Sequence, residues 1–148
     1  MEPKTIHVSD ADYYDRDNDG GKHMRVSIML SADATDGQWT FTHDTFDEGY
    51  IVKAHYHKLH DEFFSIIEGE IEFTLGDSTY IAKPGSVILV PKSTIHALRA
   101  LTPARHNMFY FPGGYEYAAA RLTQLASEDR EDEEKLKQVL LKNDVYRV

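Results

Sequence analysis

The chain has 148 residues, enough for one domain of ordinary size, and 41% hydrophobic with 11% aromatic residues is enough for a real core. Its 16 Lys and Arg against 25 Asp and Glu leave a formal net charge of -9, which argues against nucleic acid or an anionic membrane surface as partner. With no cysteine, disulfides, thiolate sites, iron–sulfur clusters and cysteine nucleophiles are excluded, so any metal must be held by His, Asp or Glu, and eight histidines are available.

The first residues, MEPKTIHVSDADYY, lack the basic start and apolar stretch of a signal peptide. The longest apolar runs, such as Val87-Ile88-Leu89-Val90, are far too short to span a bilayer. A cytoplasmic protein is the expectation. A short strand is expected at residues 5–8, then an acidic loop over residues 10–22 that ends in a Gly pair. That loop lacks the ligand spacing of an EF-hand.

From Met24 to about Phe111 the hydrophobic period is mostly two. Trp39, Phe41 and His43 alternate with Thr40, Thr42 and Asp44, and Ile71, Phe73 and Leu75 alternate with Glu70, Glu72 and Thr74. Turn signals at Asp36-Gly37, Glu48-Gly49, Glu68-Gly69, Gly76-Asp77 and Lys83-Pro84-Gly85 separate the segments. Many short antiparallel strands predict an all-β sandwich or barrel. After Pro112 the pattern turns helical: residues 115–126 carry strong helix formers, and the acidic run at residues 128–134 opens a second helix with an apolar stripe of Leu136, Val139 and Leu140. The expected organisation is an N-terminal strand and acidic loop (residues 1–23), a barrel (24–114) and C-terminal helices packing on it (115–148). Residues 128–148 hold no candidate ligand or base, so they are expected to be dispensable for metal binding.

The chemistry concentrates in His55-Tyr56-His57, Glu62 and His96. Two histidines two apart on a strand project from one face, and Glu62 arrives from the next strand after a short turn. Three imidazoles and a carboxylate suit Fe(II), Mn, Ni, Co, Cu or Zn, with positions left for water or substrate. Gly49, His55, His57, Glu62 and Gly69 fall at the spacing G-x5-HxH-x4-E-x6-G, and Gly85, Pro91 and His96 form a second pattern. Here the chain resembles the cupin family, over about residues 24–116. The second motif departs at Ser93, where the family has glycine, and at Ala100, where it has asparagine. The stretch HKLHDEFFSIIEGEIEFTLGD and the later FYFPGGYEYAAA are most similar to the small quercetin-dioxygenase-like cupins. The resemblance implies a jelly-roll barrel with a divalent metal inside, held by His55, His57, Glu62 and His96.

With Glu62 facing the metal, Phe64 and Ile66 share its interior face. Phe73, Met108, Tyr110 and His43 complete the expected substrate pocket. His60 is read as a loop histidine, and His7, His23 and His106 are given no role. The resemblance and the site lead to a metal-dependent, dioxygenase-like enzyme acting on a small aromatic or enolic molecule, with Glu62 as catalytic base. A non-redox isomerase, decarboxylase or cyclase, or a ligand-binding barrel without turnover, are the alternatives. Cupins of this size are often dimers through edge strands, and a homodimer is expected.

Overall fold

The computed structural model describes residues 1–18, 20–125 and 127–148. It contains eleven strands among these residues: β1 (Asp12–Asp17), β2 (His23–Leu30), β3 (Thr40–Phe46), β4 (Ile51–Tyr56), β5 (Asp61–Glu68), β6 (Ile71–Leu75), β7 (Ser78–Ala82), β8 (Val87–Val90), β9 (His96–Ala100), β10 (Ala104–Phe111) and β11 (Tyr146–Arg147). Three helices precede the last strand: α1 (Tyr115–Thr123), α2 (Ser127–Glu131) and α3 (Glu133–Lys142). One sheet has the order β1-β2-β3-β10-β5-β8 and the other β11-β4-β9-β6-β7. All strand pairs are antiparallel. Phe64, Ile66, Ile71, Phe73, Val90, Leu98 and Met108 fill the space between the sheets. The arrangement is the jelly-roll barrel that the alternation and the resemblance imply.

The N-terminus differs from expectation. Residues 5–7 have no regular structure, Val8–Asp10 form one 3-10 turn, and the strand lies instead at β1, inside the stretch read as an acidic loop. Asp19, in that stretch, lies outside the described residues. The acidic strand is stable because β2 supplies counter-charge: Arg25 donates to both carboxylate oxygens of Asp15, at 2.7 and 3.0 Å, and its guanidinium lies 4.0 Å from the centre of the Tyr13 ring. Tyr14 and Arg16 alternate to the more covered side of the strand.

On β3 the inward residues are Thr40, Thr42, Asp44 and Phe46. Trp39, Phe41 and His43 lie on the other side. His43 is therefore not a pocket residue: it faces outward and its Nδ1 pairs with the Asn107 side chain at 2.8 Å. The polar residues turn in because distant segments satisfy them. The fully buried Glu116 accepts from the Thr40 hydroxyl (2.6 Å), the Ala32 amide (2.7 Å) and the Gly114 amide (2.9 Å), and Asp44 pairs with His106 at 2.8 Å. Outside, Phe41 stacks on Phe109 at 4.6 Å, and Phe63 meets Phe109 at 5.9 Å. Thus one aromatic row sits on the outer face, where period-two patterning alone assigns it to the core.

The helical segment matches its pattern more closely. Helix α1 ends at Thr123; Ala126, the last residue of the predicted helix, lies outside the described residues. The acidic run spans α2 and the start of α3, where the Asp132 side chain caps by accepting from the Lys135 amide. Leu136, Val139 and Leu140 pack with Leu122 and Val145 in a second small core.

Candidate metal centre and its cavity

Strand pairing assembles the site. His55 on β4 lies opposite His96 on β9, and Glu62 on β5 lies opposite Tyr110 on β10. The imidazoles of His55, His57 and His96 each offer a nitrogen within 4.8 Å of the others. Each ring is oriented by a backbone carbonyl on its Nδ1: Lys53 at 2.7 Å for His55, Asp144 at 2.6 Å for His57, and Thr94 at 2.9 Å for His96. A ring that donates from Nδ1 keeps its Nε2 lone pair free, the tautomer a metal requires. Glu62 joins them, with Oε1 3.3 Å from His57 Nε2 and Oε2 3.0 Å from His96 Nε2. Thus the structure gathers all four residues that the resemblance implies.

The donor set fits a divalent cation. His57 Nε2 and Glu62 Oε2 are buried side-chain atoms with no hydrogen-bond partner, an arrangement that costs stability unless something else satisfies them. Burial, reinforced by His96 and His57, pushes the His55 ring down to about 3, and burial also lowers His57. Both therefore stay neutral and able to ligate at ordinary pH. Burial opposes ionisation of Glu62, but the adjacent His60 and His96 outweigh it and hold the carboxyl well below its usual range. Burial opposes protonation of His96, but the Glu62 carboxylate outweighs it and raises that ring, so a cation bound here would displace a proton from His96. Three imidazoles and one carboxylate suit Fe, Mn, Ni, Co, Cu or Zn.

Two residues join the site that sequence reasoning set aside. His60 is buried, not a solvated loop residue, and its Nε2 lies 3.2 Å from Glu62 Oε1. Asp144, in the segment expected to be accessory, reaches it from the far end of the chain. Its carbonyl holds His57, its carboxylate accepts from the amides of Lys58 (2.9 Å) and Leu59 (3.0 Å), and its Oδ2 lies 3.5 Å from His60 Nδ1. The C-terminal segment is thus part of the site's support. The only available signal was Asn143-Asp144 after a helical pattern, which marks a helix end but not what that end touches.

Phe64, Ile66, Phe73 and Met108 are interior as expected, but they pack the barrel core. Of the expected pocket, Tyr110 borders the site, with its ring 5.4 Å from His60 and 5.2 Å from Tyr115. Tyr115 in turn covers His57 and His60 at 4.6 and 4.5 Å. The open space lies to one side: a cavity of about 420 Å³ between β1, β4 and the C-terminal helices, whose lining includes Arg16, Tyr50, Val52, His55, Tyr115 and Leu140.

Comparisons with known proteins agree with this architecture. The Cupin domain family profile matches residues 42–117, about half of the chain, and the protein belongs to that family. Quercetin 2,3-dioxygenase of Bacillus subtilis (strain 168) is 29% identical over 72 residues, 49% of this chain and 21% of that protein. This chain therefore spans only a fraction of that relative's length. Among solved structures, KdgF from Halomonas sp. aligns with a TM-score of 0.67 at 20% identity, over 77% of this chain and 99% of that one. Ectoine synthase from P. lautus aligns at 0.66 and 21% identity, over 89% and 86% of the two chains. A predicted oxalate decarboxylase from Thermotoga maritima aligns at 0.67 and 18%, over 74% and 99%. At these identities the likeness is one of fold.

Proposed function

We propose that this protein is a metal-dependent enzyme that acts on a small aromatic or enolic molecule in a dioxygenase-like reaction, with His55, His57, His96 and Glu62 as metal ligands. The observation that carries the reading is the common orientation of the three imidazoles: every Nδ1 is held by a carbonyl, and every Nε2 is left for the site. A divalent metal held there supplies positive charge for a substrate oxygen.

The chain's own groups then handle the proton. Glu62 is the carboxylate placed among the imidazoles, with His60 3.2 Å away, and this placement, rather than its basicity, makes the pair the group to take a proton from an enol or phenol. Burial raises the phenols of Tyr110 and Tyr115, which stay protonated and can donate. Tyr115 roofs His57 and His60 and limits water access. The His60–Glu62 contact also favours a second reading, a non-redox isomerase, decarboxylase or cyclase, because proton movement alone would suffice for it. In the cell we place the protein in the cytoplasm as a homodimer. None of its described helices is long and apolar enough to cross a membrane, and edge strands such as β7 expose backbone for pairing.

Metal analysis followed by oxygen uptake with flavonols, diketones and phenolic acids tests the first reading against the second. About one metal per chain with oxygen consumption supports the first. Bound zinc, with substrate turnover but no oxygen uptake, supports the second. Glu62→Gln should fold, bind metal more weakly and lose about a hundredfold in turnover, the scale of a missing general base. Near-normal turnover would remove Glu62 from the base role.

A further inference from the structure

Arg16 has no ion-pair partner among the described residues, although Asp17, Glu131 and Glu133 also line its cavity. It sits on β1, across from Met24 of β2, and lines the same cavity as His55. Arg25, Arg99 and Arg105 each have a carboxylate partner, on Asp15, Glu72 and Glu68. Among the described residues, the guanidinium of Arg16 makes neither an ion pair nor a hydrogen bond. Its strongest electrostatic neighbours are the phenols of Tyr50, Tyr115, Tyr14 and Tyr110. Burial keeps all four protonated at neutral pH, so none of them cancels the charge. A partly covered, unbalanced guanidinium is unfavourable unless an anion completes it. A guanidinium's planar fork matches a carboxylate with two parallel hydrogen bonds. The cavity volume of about 420 Å³ lies within the range of small-molecule sites, and Tyr50, Tyr115, Val52 and Leu140 provide ring and aliphatic wall beside the cation.

We propose that Arg16 is a carboxylate-recognition residue of this cavity, and that the substrate is a small organic acid with an apolar or aromatic body. Its carboxylate pairs with Arg16, and its other end faces His55 and the metal ligands. The inference rests on the metal-enzyme reading for what happens at that other end. The recognition of the acid stands on Arg16 alone.

The test is calorimetric titration of benzoate and succinate, with benzamide and succinamide as neutral matches, into the metal-loaded full-length protein. The wild type should prefer each acid over its amide by about tenfold or more. Arg16→Gln should abolish that preference with metal content unchanged, and Arg16→Lys should keep part of it. The preference should also persist in chelator-treated wild type. Failure of the chelator-treated protein to take metal back, with the preference intact, would remove the metal-enzyme reading and leave this one standing. Equal binding of acid and amide by the wild type would overturn the inference even if the Gln variant does not fold. So would an undiminished preference in Arg16→Gln, which would place the carboxylate on the metal, or loss of metal from that variant, which would make Arg16 a support of the cluster. Displacement of benzoate by inorganic phosphate as readily as by succinate would make this a general anion site and also overturn it.

Discussion

The three clustered imidazoles are fixed by backbone carbonyls, so no side-chain substitution at the acceptor positions removes those contacts. His57→Ala or His96→Ala, by contrast, removes one of the proposed ligands outright. Either variant should lose metal on chelator washing and fail to reload, measured as metal per chain; full reloading of both would disprove the assignment. Ser93 stands where the family has glycine, and its φ of 66° shows that the turn keeps the glycine conformation with a side chain attached. Its amide donates to the carbonyl of His57, so the strained residue braces a proposed ligand. Ser93→Gly should raise stability by about 1 kcal/mol in chemical denaturation, with metal content unchanged. At the join of β1 and β2, a hydrogen bond with Asp17 raises His23 above its ordinary 6.5. A raised folded-state pKa contributes stability that is complete below 6.5 and is lost as pH climbs through the folded value. Asp17→Asn should reduce the fall of the denaturation midpoint as pH rises above 6.5. The effect is small, because both groups are well exposed.

At the scale of elements, what was readable in the chain was whatever is encoded locally. His55 and His96 face each other on paired strands β4 and β9, His57 follows the end of β4, and Glu62 comes from β5 of the other sheet, so the HxH spacing is local while the meeting with Glu62 depends on the closure of the barrel that the motif implies. Helix α3 was readable from the three- and four-residue spacing of Leu136, Val139 and Leu140. Orientation was less readable wherever the deciding partner is remote. Thr40 and Asp44 turn inward because Glu116 and His106 lie far along the chain, and nothing near β3 announces them. The same holds for Asp144, whose partner His57 is 87 residues away. Gly69 is a readable element junction with a strict requirement: its φ is 77°, and an added Cβ would lie 2.2 Å from the Pro103 carbonyl oxygen. Gly69→Ala should cost at least about 2 kcal/mol, because the conformation and the contact both oppose it. Thermal melting of the purified variant measures this.

The molecule as a whole closes on itself through its last strand. β11 pairs with β4 at Tyr146 opposite Tyr56 and Arg147 opposite His55, and those two tyrosines stack at 4.9 Å. The boundary expected at residue 114 is therefore not a boundary of the site. Truncation after Ser127 should leave a protein whose metal affinity falls at least about tenfold, the usual effect of losing a ligand's supporting contacts. Asp144→Ala, which keeps the carbonyl but loses the carboxylate, should fall less. Competition with a chelating dye ranks the three proteins, and equal affinities would return the tail to an accessory role.

Asp144 clasps two amides as well as a ring, and thermodynamic linkage makes that clasp a two-way device. Whatever free energy a docked tail lends to ion binding, a bound ion must lend to tail docking. Loading the protein should therefore slow hydrogen–deuterium exchange at Lys58 and Leu59, although neither coordinates anything, and stripping it should release them together with residues 144–148. Exchange at this clasp would then report occupancy of the centre before any substrate is known.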